Sequence, residues 1–484
     1  MGPKTQFQVF IFAFMDATVT IPQPPTFWAS VREAIRGSHQ DYTSGSINRA
    51  IFLLAIPMVL EMCMESLFAI VDVFWVGRLG ADSVSTVGLT ESMLLLVYAV
   101  AMGLGMSATA MVARRVGERD PEGAAIAGVQ SIALGLTFGL VMGLPCFFLA
   151  PRLLGWMGAP PAILGLGSSY ARIALSGCFV VTLLILNNAV FRGAGDAAIA
   201  MRVLWLANGI NLLLDPCFIF GLGPFPRWGV TGAAAATLIG RSVGVLFQFY
   251  RLGKGGEHIR VRARHLRLNL QVMARLLKVS LTGIAQMAIP HVAWIGMVRI
   301  VSTFGSAAIA GYTIGIRIVI FVILPSWGLS GAAATLVGQN LGARQPERAE
   351  ESVWTTGYYN MIFLGAVGVI LIVFTRPVIH LFTHDPDVVA MAVACLRILS
   401  FGNIAYAYGM VMLQAFNGAG DTRTPTVVNF FGYWVVEIPL AYALAITLHM
   451  GSNGVYLAIL ISEAAIAAVC VVLFRRGRWK GETI

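Results

Sequence analysis

The chain has 484 residues, 57% of them hydrophobic and 12% charged, with a formal net charge of +10. Soluble domains carry about 25% charged residues, so this composition excludes an ordinary soluble domain and indicates a polytopic membrane protein. Cys63, Cys146, Cys178, Cys217, Cys395 and Cys470 all lie in apolar runs without metal-ligand spacing, which argues against a disulfide framework or a thiolate metal centre.

The opening stretch, residues 6–25, has a short apolar run interrupted by Asp16 and no clear cleavage site. It fits an interfacial helix, a tail or an upstream extension, and does not read as a signal peptide. Apolar spans long enough to cross a bilayer then predict helices near 48–77, 85–111, 123–149, 165–190, 199–221, 230–251, 272–302, 307–335, 352–374, 387–413, 425–447 and 454–474. The expected fold class is an all-α polytopic membrane protein with twelve transmembrane helices.

The first span carries Glu61, Glu65 and Asp72. At 100° per residue the three fall within roughly 40° of one helix face. A carboxylate at membrane depth costs about 2.5 kcal/mol or more, so the stripe predicts a wet, protein-lined cavity; packing against neighbouring helices is the alternative. Pro57, one turn earlier, removes a backbone hydrogen bond and marks a point of bending. Met58, Met62, Met64, Phe68 and Phe74 suit a promiscuous apolar wall or a lipid face equally well. The fifth span places Asn208, Asn211 and Asp215 within roughly 60° of one face. In the second half the polar residues are more scattered: Gln286 and His291, Asn403 and Tyr406, then Glu437 two residues before Pro439, and Glu463. Each fits either a functional role or helix–helix packing.

Basic residues set the expected orientation. With both termini cytoplasmic, the cytoplasmic loops hold clusters such as Arg114, Arg115, Arg119, Arg192 and Arg202, and the middle linker is strongly basic. The opposite side has only Arg78, Arg152, Arg227, Arg299 and Arg376. The positive charge is thus a matter of topology and anionic lipid, and no aromatic-basic motif points to nucleic acid.

The chain also repeats itself. FRGAGD at 191–196 returns as FNGAGD at 416–421, VGERDPE at 116–122 as LGARQPE at 341–347, and LGADSVS at 79–85 as FGSAAIA at 304–310. All three pairs share an offset of 225 residues, which marks a duplication into two six-helix bundles related by an axis along the membrane normal. The expected organisation is an N-terminal extension (1–44), an N-lobe (45–251), a cytoplasmic linker (252–270), a C-lobe (271–476) and a short tail (477–484). At the same offset Asp72 becomes Met297, Glu61 becomes Gln286, Asn211 becomes Val436 and Asp215 becomes Leu440. A symmetric scaffold does not need that asymmetry, so a function confined to the first lobe explains it better.

TSGSINRAIFLLAIPM (43–58), VDVFWVGRLG (71–80), FRGAGD (191–196), NGINLLLDPCFIFGLG (208–223), GVTGAAAAT (229–237), GQNLGARQPERA (338–349) and NGAGDTRTP (417–425) together resemble the multidrug and toxic compound extrusion (MATE) family. The resemblance runs from about residue 41 onward and is nearest to the prokaryotic DinF-like branch. It implies two six-helix bundles around a central cleft, and export of organic cations against inward proton or sodium flow. It also implies an ion-coupling site at Asp72, Asn211 and Asp215. Pro57 matches the bending proline of the family, and Asn187 and Asn188 match polar positions near the cavity. Glu65 replaces an expected neutral amide. The second main bacterial branch uses acidic residues on helices 7 and 10, where this chain has Gln286 and no carboxylate.

The function expected is a secondary active antiporter, proton- or sodium-coupled, that exports amphipathic organic cations by alternating access. Asp72, Asn208, Asn211 and Asp215 would bind the coupling ion, with sodium possible at Asp72, Asn211 and Asp215. Pro57, Glu61, Glu65, Asn187, Asn188, Gln286, Asn403 and Tyr406 would line or gate the substrate cavity. No cofactor beyond the coupling ion, a monomer in the plasma (inner) membrane, and lipid but no nucleic acid as partner complete the expectation. The alternative is a lipid-linked oligosaccharide flippase, which needs a strongly cationic cavity where this one reads as acidic. An enzyme is disfavoured: HExxH and GxSxG are absent, and the GAGD loops lack the Lys and strand of a phosphate cradle.

Overall fold

The computed structural model describes residues 27–484 apart from 38–39 and 257–258. Residues 6–25 therefore lie outside the described residues. The last part of the expected extension forms a helix, α1 (Phe27–Arg36), docked on the first long helix, α2 (Ile47–Gly77). Glu33 pairs with Arg49 at 3.0 Å, and the Phe27 ring stands 5.7 Å from that of Phe52.

The N-lobe continues through α3 (Ala81–Gly117), α4 (Pro121–Trp156), α5 (Pro161–Ser176), α6 (Cys178–Gly193), α7 (Ala197–Phe220) and α8 (Val230–Lys254). The C-lobe comprises α9 (Leu270–Ser302), α10 (Ser306–Gly342), α11 (Pro346–Val373), the short α12 (Thr375–His380), α13 (Pro386–Phe401), α14 (Asn403–Ala419), α15 (Arg423–Thr447) and α16 (Ser452–Arg475). Among the described residues eleven helices are long and apolar enough to cross a membrane, α5 and α6 forming one of them across Gly177, and the bent pair α13–α14 makes the twelfth crossing. That pair turns by 57° next to Gly402, so the expected single helix over 387–413 is broken.

Helices α3 and α10 run nearly two turns past the ends read from hydropathy. The apolar stretch marks the membrane-facing length, whereas the helix continues through the polar residues Arg114, Arg115 and Gln339. In α15 the segments Phe430–Glu437 and Ala443–Thr447 are π-helical. Pro439 lies between them and lacks the N–H that an α-helical ladder needs, which favours such a local adjustment. Pro57 behaves differently: α2 runs through it as one continuous helix.

The duplication is visible in the backbone. Left-handed residues recur at the 225-residue offset: Gly80 and Gly305 (φ 101° and 95°), Gly195 and Gly420 (89° and 90°), and the non-glycine pair Arg119 and Arg344 (56° and 59°). The lobes meet chiefly through α2 and α3 against α9 and α10. At the end of the bundle that carries the interlobe linker they pack backbone to backbone. A Cβ on Gly117 would fall 1.9 Å from the Gln339 carbonyl oxygen, and one on Gly342 would fall 2.2 Å from that of Arg114. Only glycine allows so close an approach of two helices.

The linker and tail both dock. His265 and Arg264 of the linker hold Glu122 at the start of α4, the former at 2.7 Å. Trp479 of the tail is buried and stacks on Phe474 at 4.6 Å, while Lys480 pairs with Glu350 at 2.6 Å.

Candidate functional site

Between the lobes lies a cavity of about 270 Å³. Helix α2 lines it with Met58, Glu61, Met62 and Glu65, and α3 with Tyr98, Met102 and Met106. Asn188 and Arg192 enter from α6, Arg241 from α8, Trp327 from α10, and Gln414 and Asn417 from α14. Most of the wall is apolar and rich in methionine, whose flexible thioether chain adapts to ligands of different shape.

The polar groups form two clusters. Glu61, almost fully buried, accepts from Arg192 at 2.9 Å and from Asn188 at 3.1 Å, and its Oε2 has no partner among the described residues. One helical turn on, Glu65 accepts from Asn208 at 3.0 Å and stands 3.9 Å from the Arg241 guanidinium. Arg241 donates to the Tyr98 hydroxyl at 2.9 Å and lies 5.7 Å from the centre of the Phe68 ring. Each cavity carboxylate thus has its own arginine.

Further along the same face of α2 is Asp72, partly exposed, within electrostatic reach of Glu91, Arg241 and Asp215. On α7, Asn211 donates to Asp215 Oδ1 at 3.1 Å and to the Thr237 hydroxyl at 3.0 Å. Asp215 is fully buried, and among the described residues both its Oδ2 and Asn211 Oδ1 lack partners. Two free, buried oxygens beside a second carboxylate suit a proton or a hard monovalent cation. No group of three His, Cys, Asp or Glu with metal-binding geometry occurs among the described residues, so any sodium here would depend on amide or hydroxyl oxygens.

Several expectations need correction. Glu61, Glu65 and Asp72 share a helix face but not one cavity: the first two line the interlobe space, and Asp72 sits two turns beyond Glu65, outside the lining. The cavity is not acidic, because Arg192 and Arg241 balance its two carboxylates. Arg192, assigned above to a cytoplasmic loop, belongs to the last turn of α6, and its long side chain reaches back to Glu61. Asn208 bonds Glu65, not the Asn211–Asp215 group, so the four-residue ion set divides. Asn188 lines the cavity, whereas Asn187 faces away and bonds Gln248 at 3.0 Å, since adjacent helix positions point about 100° apart.

Gln286, Asn403 and Tyr406 are also absent from the lining. Gln286 is buried against α15, where its backbone carbonyl accepts from Asn429. Asn403, at the α13–α14 bend, donates to the Leu364 carbonyl of α11 at 3.4 Å. Tyr406 lies near Glu463, which accepts from Tyr433 at 2.9 Å and neighbours Glu437. Of the apolar set, Met58 and Met62 face the cavity, Met64 does not, Phe68 packs by Arg241, and Phe74 is half exposed beneath Arg78.

Sequence reasoning passed over Arg241, Glu91, Tyr98 and Thr237. The first two carried a legible signal, an ionisable residue inside a predicted membrane span. Tyr98 and Thr237 gave none, because either residue is ordinary in a membrane helix.

A family model described as MatE matches residues 57–217 and 284–443, one segment in each lobe. The chain therefore belongs to the MATE family, a family of membrane transporters and not of enzymes. It is similar to the probable multidrug resistance protein NorM of Thermotoga maritima, 25% identical over 90% of this chain and 94% of that one. It is also similar to the multidrug export protein MepA of Staphylococcus aureus, 25% identical over 91% of this chain and 97% of its relative. Among solved structures, one described as the outward-facing conformation of a multidrug resistance MATE transporter superposes with a TM-score of 0.85 at 29% identity, over 91% of this chain and 98% of the other.

Proposed function

We propose that this protein is a secondary active antiporter that exports amphipathic organic cations, driven by the inward flow of protons or sodium. One observation carries the reading. A single face of α2 joins two different polar sites, an adaptable methionine-lined cavity at Glu61 and Glu65 and, at Asp72, the electrostatic reach of the Asn211–Asp215 oxygen site. A helix that serves both sites can make occupancy of one depend on the other as the lobes rock. Relatives named as multidrug exporters support the substrate class.

In this reading the linker end is cytoplasmic, as the basic loops require, and the glycine-mediated packing of α3 on α10 seals the cavity from the cytoplasm. The protein sits as a monomer in the plasma membrane, and Pro57 gives α2 a second, bent state. A pyrophosphate-carrying lipid is a poorer match, because both cavity arginines already face carboxylates and leave no surplus positive charge.

The test is export by inverted membrane vesicles with a pH gradient or a sodium gradient imposed alone. Accumulation of a fluorescent lipophilic cation under one gradient is expected. Accumulation that needs neither gradient would reject ion-coupled antiport.

A further inference from the structure

Arg241 is an arginine in mid-span, its side chain only 12% exposed. Such a charge is costly at membrane depth and is held by its partners. Its surroundings are known from each element that contributes charge. Helix α2 offers Glu65 at 3.9 Å and, two turns further, Asp72; α3 offers the Tyr98 hydroxyl at 2.9 Å and Glu91; α5 offers Tyr170. Asp215 of α7 lies beyond Asp72, and Arg317 of α10 lies beyond Glu91.

The contact with Glu65 is loose. At 3.9 Å it is an ion pair without a direct hydrogen bond, and Glu65 takes its hydrogen bond from Asn208 instead. The guanidinium thus stands between two sets of carboxylates and is firmly bonded only to Tyr98. Glu65 lines the cavity, while Asp72 and Glu91 lie outside its lining and within electrostatic reach of one another. Seven residues of helix separate Glu65 from Asp72, a rise of about 10 Å on one face, and a long arginine side chain held midway can turn toward either end.

The geometry points to Arg241 as a tethered internal cation, displaced in turn by the transported cation at Glu65 and by the coupling cation at Asp72. This rests on the antiport reading given above. A cationic substrate that docks on Glu65 drives the guanidinium toward Asp72 and Glu91, where its charge disfavours a proton or sodium ion. A proton or sodium ion on Asp72 removes the attraction at that end and returns the guanidinium to Glu65, where it expels the substrate. The two cations exclude one another without sharing a site. Arg241 is thus a positioning residue that also sets specificity: a substrate must be cationic to compete with it.

The experiment is equilibrium binding of ethidium to the purified full-length protein in detergent, at acid and alkaline pH, each with and without sodium. For the unmodified protein, supplying the coupling cation should weaken ethidium binding several-fold. In Arg241→Gln, ethidium should bind more tightly and the effect of the coupling cation should shrink to less than half. If the unmodified protein responds to neither cation, the antiport reading itself fails. If it responds and Arg241→Gln responds equally, the reading stands and the role given to Arg241 is overturned. Should Arg241→Gln fail to fold, Arg241→Lys tests the same point: its shorter ammonium keeps the charge but lacks the reach and the planar fork of the guanidinium, so the dependence should shrink there too, and an undiminished dependence overturns the proposal.

Discussion

Arg192 reaches Glu61 at 2.9 Å across the boundary between α6 and α2, and so ties the end of one helix to the middle of another beside the cavity. The Glu61 side chain is 2% exposed and that of Arg192 25%, so the pair is largely withdrawn from water. Removing one partner of such a pair leaves an uncompensated charge, which typically costs about 3–5 kcal/mol, whereas removing both costs far less.

Arg192→Met is therefore expected to lower the thermal unfolding temperature of the detergent-solubilised protein clearly, and Glu61→Gln combined with Arg192→Met to recover most of the loss. A single mutant as stable as the parent would show that the pair contributes nothing to holding α6 against α2.

Asp72→Asn is expected to abolish coupled export and leave folding intact. Asparagine keeps the volume but cannot exchange a proton or carry the charge that attracts sodium. Asp72 is partly exposed, and among the described residues its side chain makes no hydrogen bond that asparagine would break. The check is export rate beside monodispersity on a sizing column; normal export by the folded mutant would remove Asp72 from the coupling step.

Pro57→Ala is expected to slow or stop transport without removing the cation site. Pro57 is buried inside a helix that is continuous through it, and alanine supplies the missing N–H and favours a straight helix. Substrate binding and export rate are measured together. Both remaining at parental values would show that bending of α2 has no part in the cycle.

The two-lobed helical fold was legible because it rests on long signals: apolar spans, and landmarks such as FRGAGD and FNGAGD at one offset. The stripe of Glu61, Glu65 and Asp72 was legible for a similar reason, since spacing alone fixes a helix face. Which cavity each residue enters depends on helix depth and on neighbours distant in sequence. Glu61 meets Arg192, and Glu65 meets Arg241, only once α2, α6 and α8 are packed. The balanced charge of the cavity followed from those meetings and was hidden in a sequence where Arg192 sits beside a turn. The break at Gly402 and the π-helical turns around Pro439 are adjustments within apolar runs whose hydropathy does not change.

The central claim is that ion coupling resides in the first lobe, at Asp72 with Asn211 and Asp215. The second lobe has its own buried carboxylate, Glu437, with an unpartnered Oε2 and a neighbouring Glu463 that bonds Tyr433. The direct measurement compares Asp215→Asn with Glu437→Gln, at matched protein levels, for export driven by a pH gradient and by a sodium gradient. Asp215→Asn should reduce gradient-driven export at least tenfold more than Glu437→Gln. Equal loss in both would mean that coupling is shared between the lobes, and loss in Glu437→Gln alone would place it in the second.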